Sequence, residues 1–336
     1  MPVLDGPALI ENRVRAIREL HQQITNPRAQ LDLSGGIDSA VMLGLLTRAL
    51  DAKNVAAVYS SIHSGDEFRE RAALCADAFG VSLIEIDLSP IFDELTSAMQ
   101  VSLQRAGVDL SEVSARIAAD HTVLGSLRSC LRAPVGRGYN RMTGGGIRHG
   151  TGNECEDRFL RFYQKGGDGE VDTNPIAMLS KGEVFQLARA LGVPQPLIDA
   201  IPSPDLHGIG SKHNDEDELR ELSGVPWTYS RIDATSGEYV RIGSIERMSR
   251  FLDTDHAAAL FGHTEPTDKH FKAMADEARG HFAGYPQQEI EALLRSCRKL
   301  ERSSRHKANP NIPTLGERSQ LIEAGILTDE LPRSVV

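Results

Sequence analysis

Ser34-Gly35-Gly36-Ile37-Asp38-Ser39 is the stretch of this 336-residue chain whose residue types most directly imply chemistry. Paired glycines let backbone N–H groups turn inward, a helix start behind them adds its positive dipole end, and two hydroxyls add donors. Together these make an anion cradle. Asp38 would repel a bound phosphate unless a cation lay between, and a Mg²⁺ bridging Asp38 and phosphate oxygens removes that conflict. The bland alternative is an ordinary strand-to-helix turn with Asp38 as its N-cap. Five fixed positions at ~7% frequency each would match by chance in about one of a thousand chains this long. The Walker pattern ends in Gly-Lys-Ser/Thr, with its lysine on the terminal phosphates. No lysine stands in this loop, so it is not a kinase or GTPase loop.

The elements around the cradle support that placement. Ile10, Val14, Ile17, Leu20 and Ile24 recur at helical spacing and predict a first helix. Ala29–Leu33 reads as a buried strand after Asn26-Pro27, and Ser39–Leu50 as the helix behind the glycines. Strands at Val55–Ser60 and Ser82–Asp87 flank a helix over Asp66–Phe79. This alternation predicts an α/β fold, a doubly wound parallel sheet flanked by helices, with ligands beyond the carboxyl ends of its strands. Further along, a helix over Leu124–Met142 carries Pro134, Gly136 and Gly138 in a weakened second half. Ile147–His149 is a short strand leading into Gly150-Thr151-Gly152-Asn153. Lys181–Leu191 is a helix closed by Gly192. The acidic run 213–219 is expected to be solvated, and Gln287–Arg305 to be a final helix. Cys75 and Cys297 fall on apolar helix faces, and Trp227 reads as a packing anchor.

Composition narrows the class. With 37 Lys+Arg against 47 Asp+Glu the net charge is −10, which gives no support to nucleic-acid binding. The apolar stretch Ala40–Leu46 is far short of the ~20 residues that span a membrane. Four scattered cysteines form no C-x-x-C, so a disulfide framework is not expected and a reducing cytoplasm is the expected location.

The loop resembles the pyrophosphate-binding loop of the N-type ATP pyrophosphatases (the PP-loop superfamily), which cleave ATP between the α and β phosphates to adenylate a substrate. Ser60–Val81, Gly150–Glu156, Phe162–Lys181, Ile201–Leu206, Asp215–Leu219 and Arg305–Lys307 narrow the resemblance to the ammonia-dependent NAD synthetases. The resemblance implies that Asp38 and Glu156 hold Mg²⁺, and that ATP as co-substrate meets Ser34–Ser39, Thr151, Lys181 and Ser203. It also implies that deamido-NAD meets Arg132, Lys165, Asp172, His306 and Lys307. Asp38, Lys181 and Lys165 are then the residues expected to carry catalysis, because cations must bring a substrate carboxylate against the α-phosphate. A homodimer is implied as well. With 33 residues before Ser34, no fused glutaminase is expected, and ammonia would arrive free or from a separate protein.

Two departures stand out. Cys130 occupies the place of a family arginine that contacts substrate, and a thiol cannot replace a guanidinium. Arg128 or Arg137 would have to reach that space, or the substrate differs there. Residues 224–286 look like an insertion of unknown role within a synthetase-like domain formed by 1–223 and 287–336. The alternative function is a related PP-loop ligase that amidates a different carboxylate.

Overall fold

The computed structural model describes residues 5–120, 122–203, 213–233, 235–254, 261, 266–307 and 316–330. Helix α1 (Gly6–Gln23) is capped by the Asp5 carboxylate, which accepts from the Ala8 N–H. Its buried stripe is Leu9, Val14, Ile17 and His21. Ile24, expected on that stripe, lies past the helix end and is 46% exposed. Then β1 (Ala29–Asp32), α2 (Ile37–Leu50), β2 (Val55–Ser61), α3 (Asp66–Ala78) and β3 (Leu83–Asp87) alternate as the periodicity predicts. Helices α4 (Ser89–Arg105), α5 (Leu110–Ala119) and α6 (Thr122–Met142) lead to β4 (Ile147–His149).

The four strands pair in parallel in the order β3-β2-β1-β4, with Leu31 opposite both Ala57 and His149. Strand order therefore reverses beside β1, and a crevice opens beyond its carboxyl end. The glycine loop leaves β1 at that point. Beneath it, Leu31, Leu33, Val41 and Leu45 pack with Ile17 of α1 and with Val184 and Leu187 of α8 (Lys181–Leu191), all fully or almost fully buried.

Helix α6 runs unbroken through Pro134. Gly136 serves closeness: a Cβ there would come within 2.8 Å of the Arg148 guanidinium, and its carbonyl accepts from Gln30 Nε2 at 2.9 Å. The acidic run is not solvated as expected. It opens α10 (Asp215–Ser223), which follows α7 (Glu154–Asp157) and α9 (Gln195–Ile198) and is capped by Asn214. Asp215, Glu218 and Leu219 face inward at spacings of three and four, a stripe that charge density had obscured.

Beyond α10 come an antiparallel ribbon of β5 (Arg231–Ile232) and β6 (Tyr239–Arg241), then α11 (Ser244–Phe251), α12 (Asp268–Ala278) and α13 (Gln287–Ser304). A second core joins Trp227, Phe251, Phe271 and Phe282 from this segment to Cys155, Phe159, Leu294 and Cys297. Trp227 is the anchor expected, 1% exposed, with its indole N–H donating to Ser296 Oγ at 2.9 Å. Cys75 and Cys297 are buried, and all four cysteines are free.

Buried ion pairs tie the layers together. Arg318, at the start of α14 (Arg318–Glu323), donates to both Glu183 oxygens at 2.7 and 2.9 Å. Arg250 of α11 pairs with Glu154 of α7, and Asp329 accepts from both arginines at 3.3 Å. Glu183 and Glu154 belong to the first turns of the two helices that carry Lys181 and Glu156.

Candidate active site

Gly35 lies at φ +79°, in the left-handed region, and a Cβ there would come within 2.3 Å of the Phe68 carbonyl oxygen. Arg71 fixes the turn from outside by donating to the Gly35 carbonyl at 3.0 Å. Inside it, Ser39 Oγ lies 3.0 Å from the Gly36 carbonyl and 3.2 Å from Ser34 Oγ. Helix α2 begins at Ile37, earlier than its periodicity predicts, and no side chain caps it. Its first-turn N–H groups are thus left for a ligand, as an anion site requires. Gly35→Ala would meet both the strained φ and the Phe68 backbone. Its expected effect is at least a tenfold loss of ATP affinity with little change in the far-ultraviolet circular dichroism, measurable by calorimetric titration with ATP.

Opposite the loop, Asn153 caps α7 with its carbonyl oxygen, accepting from the Glu156 N–H, while its Nδ2 donates to Asp38 Oδ1 at 2.9 Å. One amide therefore orients both acids. Ser180 caps α8 in a reciprocal box with Glu183, which fixes Lys181 at the first helical position. The Lys181 ammonium, 2% exposed, donates to Asp38 Oδ2 at 2.6 Å and to Glu156 Oε1 at 2.8 Å. Burial alone would lower the lysine's pKa, but Asp38 and Glu156 outweigh it and hold it above the usual range. Burial likewise pushes Glu156 up, against the pull of Lys181. Lys181 Nζ also lies 5.4 Å from the centre of the Tyr229 ring.

The two carboxylates thus converge on one cationic point. Hard oxygens so placed suit a Mg²⁺ that draws its remaining ligands from phosphate and water. No group of three or more His, Cys, Asp or Glu able to hold a metal occurs among the described residues, so a metal here would depend on that sharing.

A cavity of about 600 Å³ is lined by Ser34–Ser39, Thr151, Glu156, Lys181 and Ser203, and Arg132 and Lys307 join its wall. That volume suits a nucleotide-sized ligand. Arg132 donates to the Ser60 carbonyl at the end of β2, and Lys307 Nζ to the Tyr163 carbonyl at 2.8 Å. Tyr163 returns a hydrogen bond to the Lys307 carbonyl, closing a clasp over the cavity. Lys165 is exposed and, like Asp172, is not part of the lining. The side chain of His306 lies outside the described residues.

Around Cys130 the arginines are committed to other partners. Arg128 donates to the Ile62 carbonyl, and Arg137 donates to Asp172 Oδ1 at 2.7 Å while pairing with Glu170 at 3.4 Å. Sequence reasoning passed over Asn153, Asp215 and Tyr229. Asn153 stood inside a motif already singled out, and Asp215 inside the matching segment Asp215–Leu219 without a role assigned to it; Tyr229 arrives only by tertiary packing. Asp215 lines the cavity, and its burial raises its pKa to about 7 although Lys181 pulls it down.

Known proteins resemble this chain in sequence and fold. The family model described as NAD synthase matches residues 9–244. An NH(3)-dependent NAD(+) synthetase of Halobacterium salinarum is 32% identical over 254 residues, covering 74% of this chain and 84% of that protein. The Methanosarcina acetivorans protein of the same name is 36% identical over 194 residues, covering 57% and 68%. Among solved structures, NMN synthetase from Francisella tularensis aligns over 92% of this chain and 100% of its own with a TM-score of 0.62, and at 19% identity it speaks to the fold alone. A central parallel sheet with a glycine loop at its switch point, and a match over most of its length, make this chain a member of the NAD synthase family.

Proposed function

We propose that the protein is an ammonia-dependent NAD synthetase. ATP adenylates the nicotinate carboxylate of deamido-NAD and releases pyrophosphate; ammonia then displaces AMP, forming the amide of NAD and leaving one proton. The observation that carries this reading is the meeting of Asp38, Glu156 and Lys181 at one point beside the glycine loop. Adenylation presses a carboxylate against a phosphate, and in a site shielded from water that repulsion must be met by fixed positive charge. Lys181 and Lys307 supply it from within the cavity. Asp38 and Glu156 would hold Mg²⁺, which neutralises charge on the departing pyrophosphate.

In this reading the Ser34–Ser39 loop, Thr151, Lys181 and Ser203 bind ATP. Arg132, Lys165, Asp172, His306 and Lys307 receive deamido-NAD, with Asp172 presented to it already paired with Arg137. Residues 224–286 are read as an insertion, and its Tyr229, whose ring faces Lys181, walls the site. A homodimer is the proposed assembly; Ile91 and Met99 of α4 and Val123 of α6 leave apolar surface exposed for it. The nitrogen would come free or from a separate ammonia-supplying protein. No described helix is long and apolar enough to cross a membrane.

The test is product analysis with ATP, Mg²⁺, ammonium and deamido-NAD. AMP, pyrophosphate and NAD are expected in equal amounts. ADP with orthophosphate, or AMP formed only with a different acid such as nicotinate mononucleotide, would reject deamido-NAD amidation.

A further inference from the structure

An arginine on a surface helix ordinarily pairs with a carboxylate or carries its guanidinium out into water. Arg71 of α3 is half-buried and held in place instead. Its Nε donates to the Gly35 carbonyl at 3.0 Å, and its Cζ stands 4.8 Å from the centre of the Phe68 ring. No carboxylate pairs with it among the described residues, and its two Nη groups find no hydrogen-bond partner among them. Four N–H donors of a planar fork are therefore left over. Arg71 and Phe68 line the same cavity as the Ser34–Ser39 loop.

Sheet order puts this cation on the flank of the loop away from Lys181. Strand β4, which leads into α7 and Glu156, lies on one side of β1, and β2, which leads into α3, lies on the other. On the β4 side, Lys181 is already shared between Asp38 and Glu156. On the β2 side, α3 is pressed so close to the turn that a Cβ on Gly35 would meet the Phe68 carbonyl oxygen at 2.3 Å and the Ala72 nitrogen at 3.3 Å. A ligand for the fork must be anionic, must offer paired oxygens and must reach the glycine loop, which describes a phosphate. In the proposed reaction the α-phosphate meets the substrate carboxylate beside Lys181, so the far end of the phosphate chain falls toward Arg71. We infer that Arg71 grips the terminal phosphate of ATP and makes the site select a triphosphate over a diphosphate. This inference rests on the ATP site proposed above and adds to it a cation from outside the loop.

Calorimetric titration of the full-length protein with ATP and with ADP, each with Mg²⁺ and without deamido-NAD, reads this contact before any chemistry. The unmodified protein is expected to bind ATP about tenfold more tightly than ADP, the scale of one charge-assisted contact to the extra phosphate. Arg71→Gln keeps a donor for the Gly35 carbonyl and removes the charge. In that variant the preference for ATP should shrink to about twofold, with ADP affinity nearly kept. A merely structural role would disturb the loop and weaken both nucleotides alike, since both place a β-phosphate on it. Equal weakening, an unchanged preference in the variant, or no preference in the unmodified protein overturns the assignment. Should Arg71→Gln fail to fold, Arg71→Met, which keeps an apolar stem against Phe68, takes its place in the same titrations. Because deamido-NAD is absent, Arg71 can lose its role while amidation stands, and failed amidation leaves these titrations readable. Binding of neither nucleotide would reject the ATP site itself, and the contact with it.

Discussion

Asp38→Asn is expected to lower kcat by about 10³-fold, the scale on which removing one preorganised charge-stabilising group acts. The substitution keeps the side chain's shape and an oxygen able to accept from Asn153 Nδ2, so the local hydrogen bond survives. It removes one of two charges that meet at Lys181. The remaining Glu156 pair still compensates the buried ammonium, so stability should fall by no more than about 2 kcal/mol, below the usual cost of orphaning a buried ion. Turnover and urea denaturation on the same preparation check both halves. A variant keeping more than a tenth of the original rate would remove Asp38 from the proposed metal site.

Lys181→Met should behave in the opposite way. Methionine fills similar volume but leaves Asp38 and Glu156 facing one another with no cation between them. Breaking a buried pair in this manner costs about 3–5 kcal/mol. Because both acids converge on one point, Mg²⁺ can occupy the space the ammonium vacates. Ligand binding to the folded state then restores stability in proportion to RT ln(1 + [Mg²⁺]/Kd). The expected result is a variant unstable in EDTA whose melting temperature rises more with millimolar Mg²⁺ than that of the unmodified protein. Turnover should be nearly abolished in both conditions. No stabilisation of the Lys181→Met protein by Mg²⁺ would show that these carboxylates do not make a divalent site.

The parts of the site that local rules govern were legible in the sequence. The Ser34–Ser39 turn is required by its glycines, and Lys181 at a helix start follows from the Ser180–Glu183 box and the Gly192 stop. Glu156 lay in a motif whose asparagine turned out to be its cap. The convergence was harder to read. Asp215 was hidden in a run so acidic that it suggested a solvated face, although Asp215, Glu218 and Leu219 already carried the i, i+3, i+4 stripe. Tyr229 meets Lys181 across a long sequence separation, and no periodicity encodes such a meeting. The departure expected at Cys130 was visible, whereas the partner chosen by Arg137 depends on how α6 lies over β4. Pro134 and two glycines argued for a break in α6, but packing against Arg148 overrode propensity there.

The arginine lattice beneath the catalytic helices bears on how the polypeptide matures during translation. Glu154 and Glu183 emerge from the ribosome well before Arg250 and Arg318, the residues that neutralise them. Until those later segments are delivered, Glu183 lacks the arginine it pairs with and Glu154 has only Arg158, 3.2 Å away, so both carboxylates resist full burial. A nascent chain halted before Arg250 could assemble its sheet, since all four parallel strands precede that point, yet its catalytic helices would lack firm seating. Competence for chemistry would then be a late event in biogenesis, completed only when the distal arginines dock.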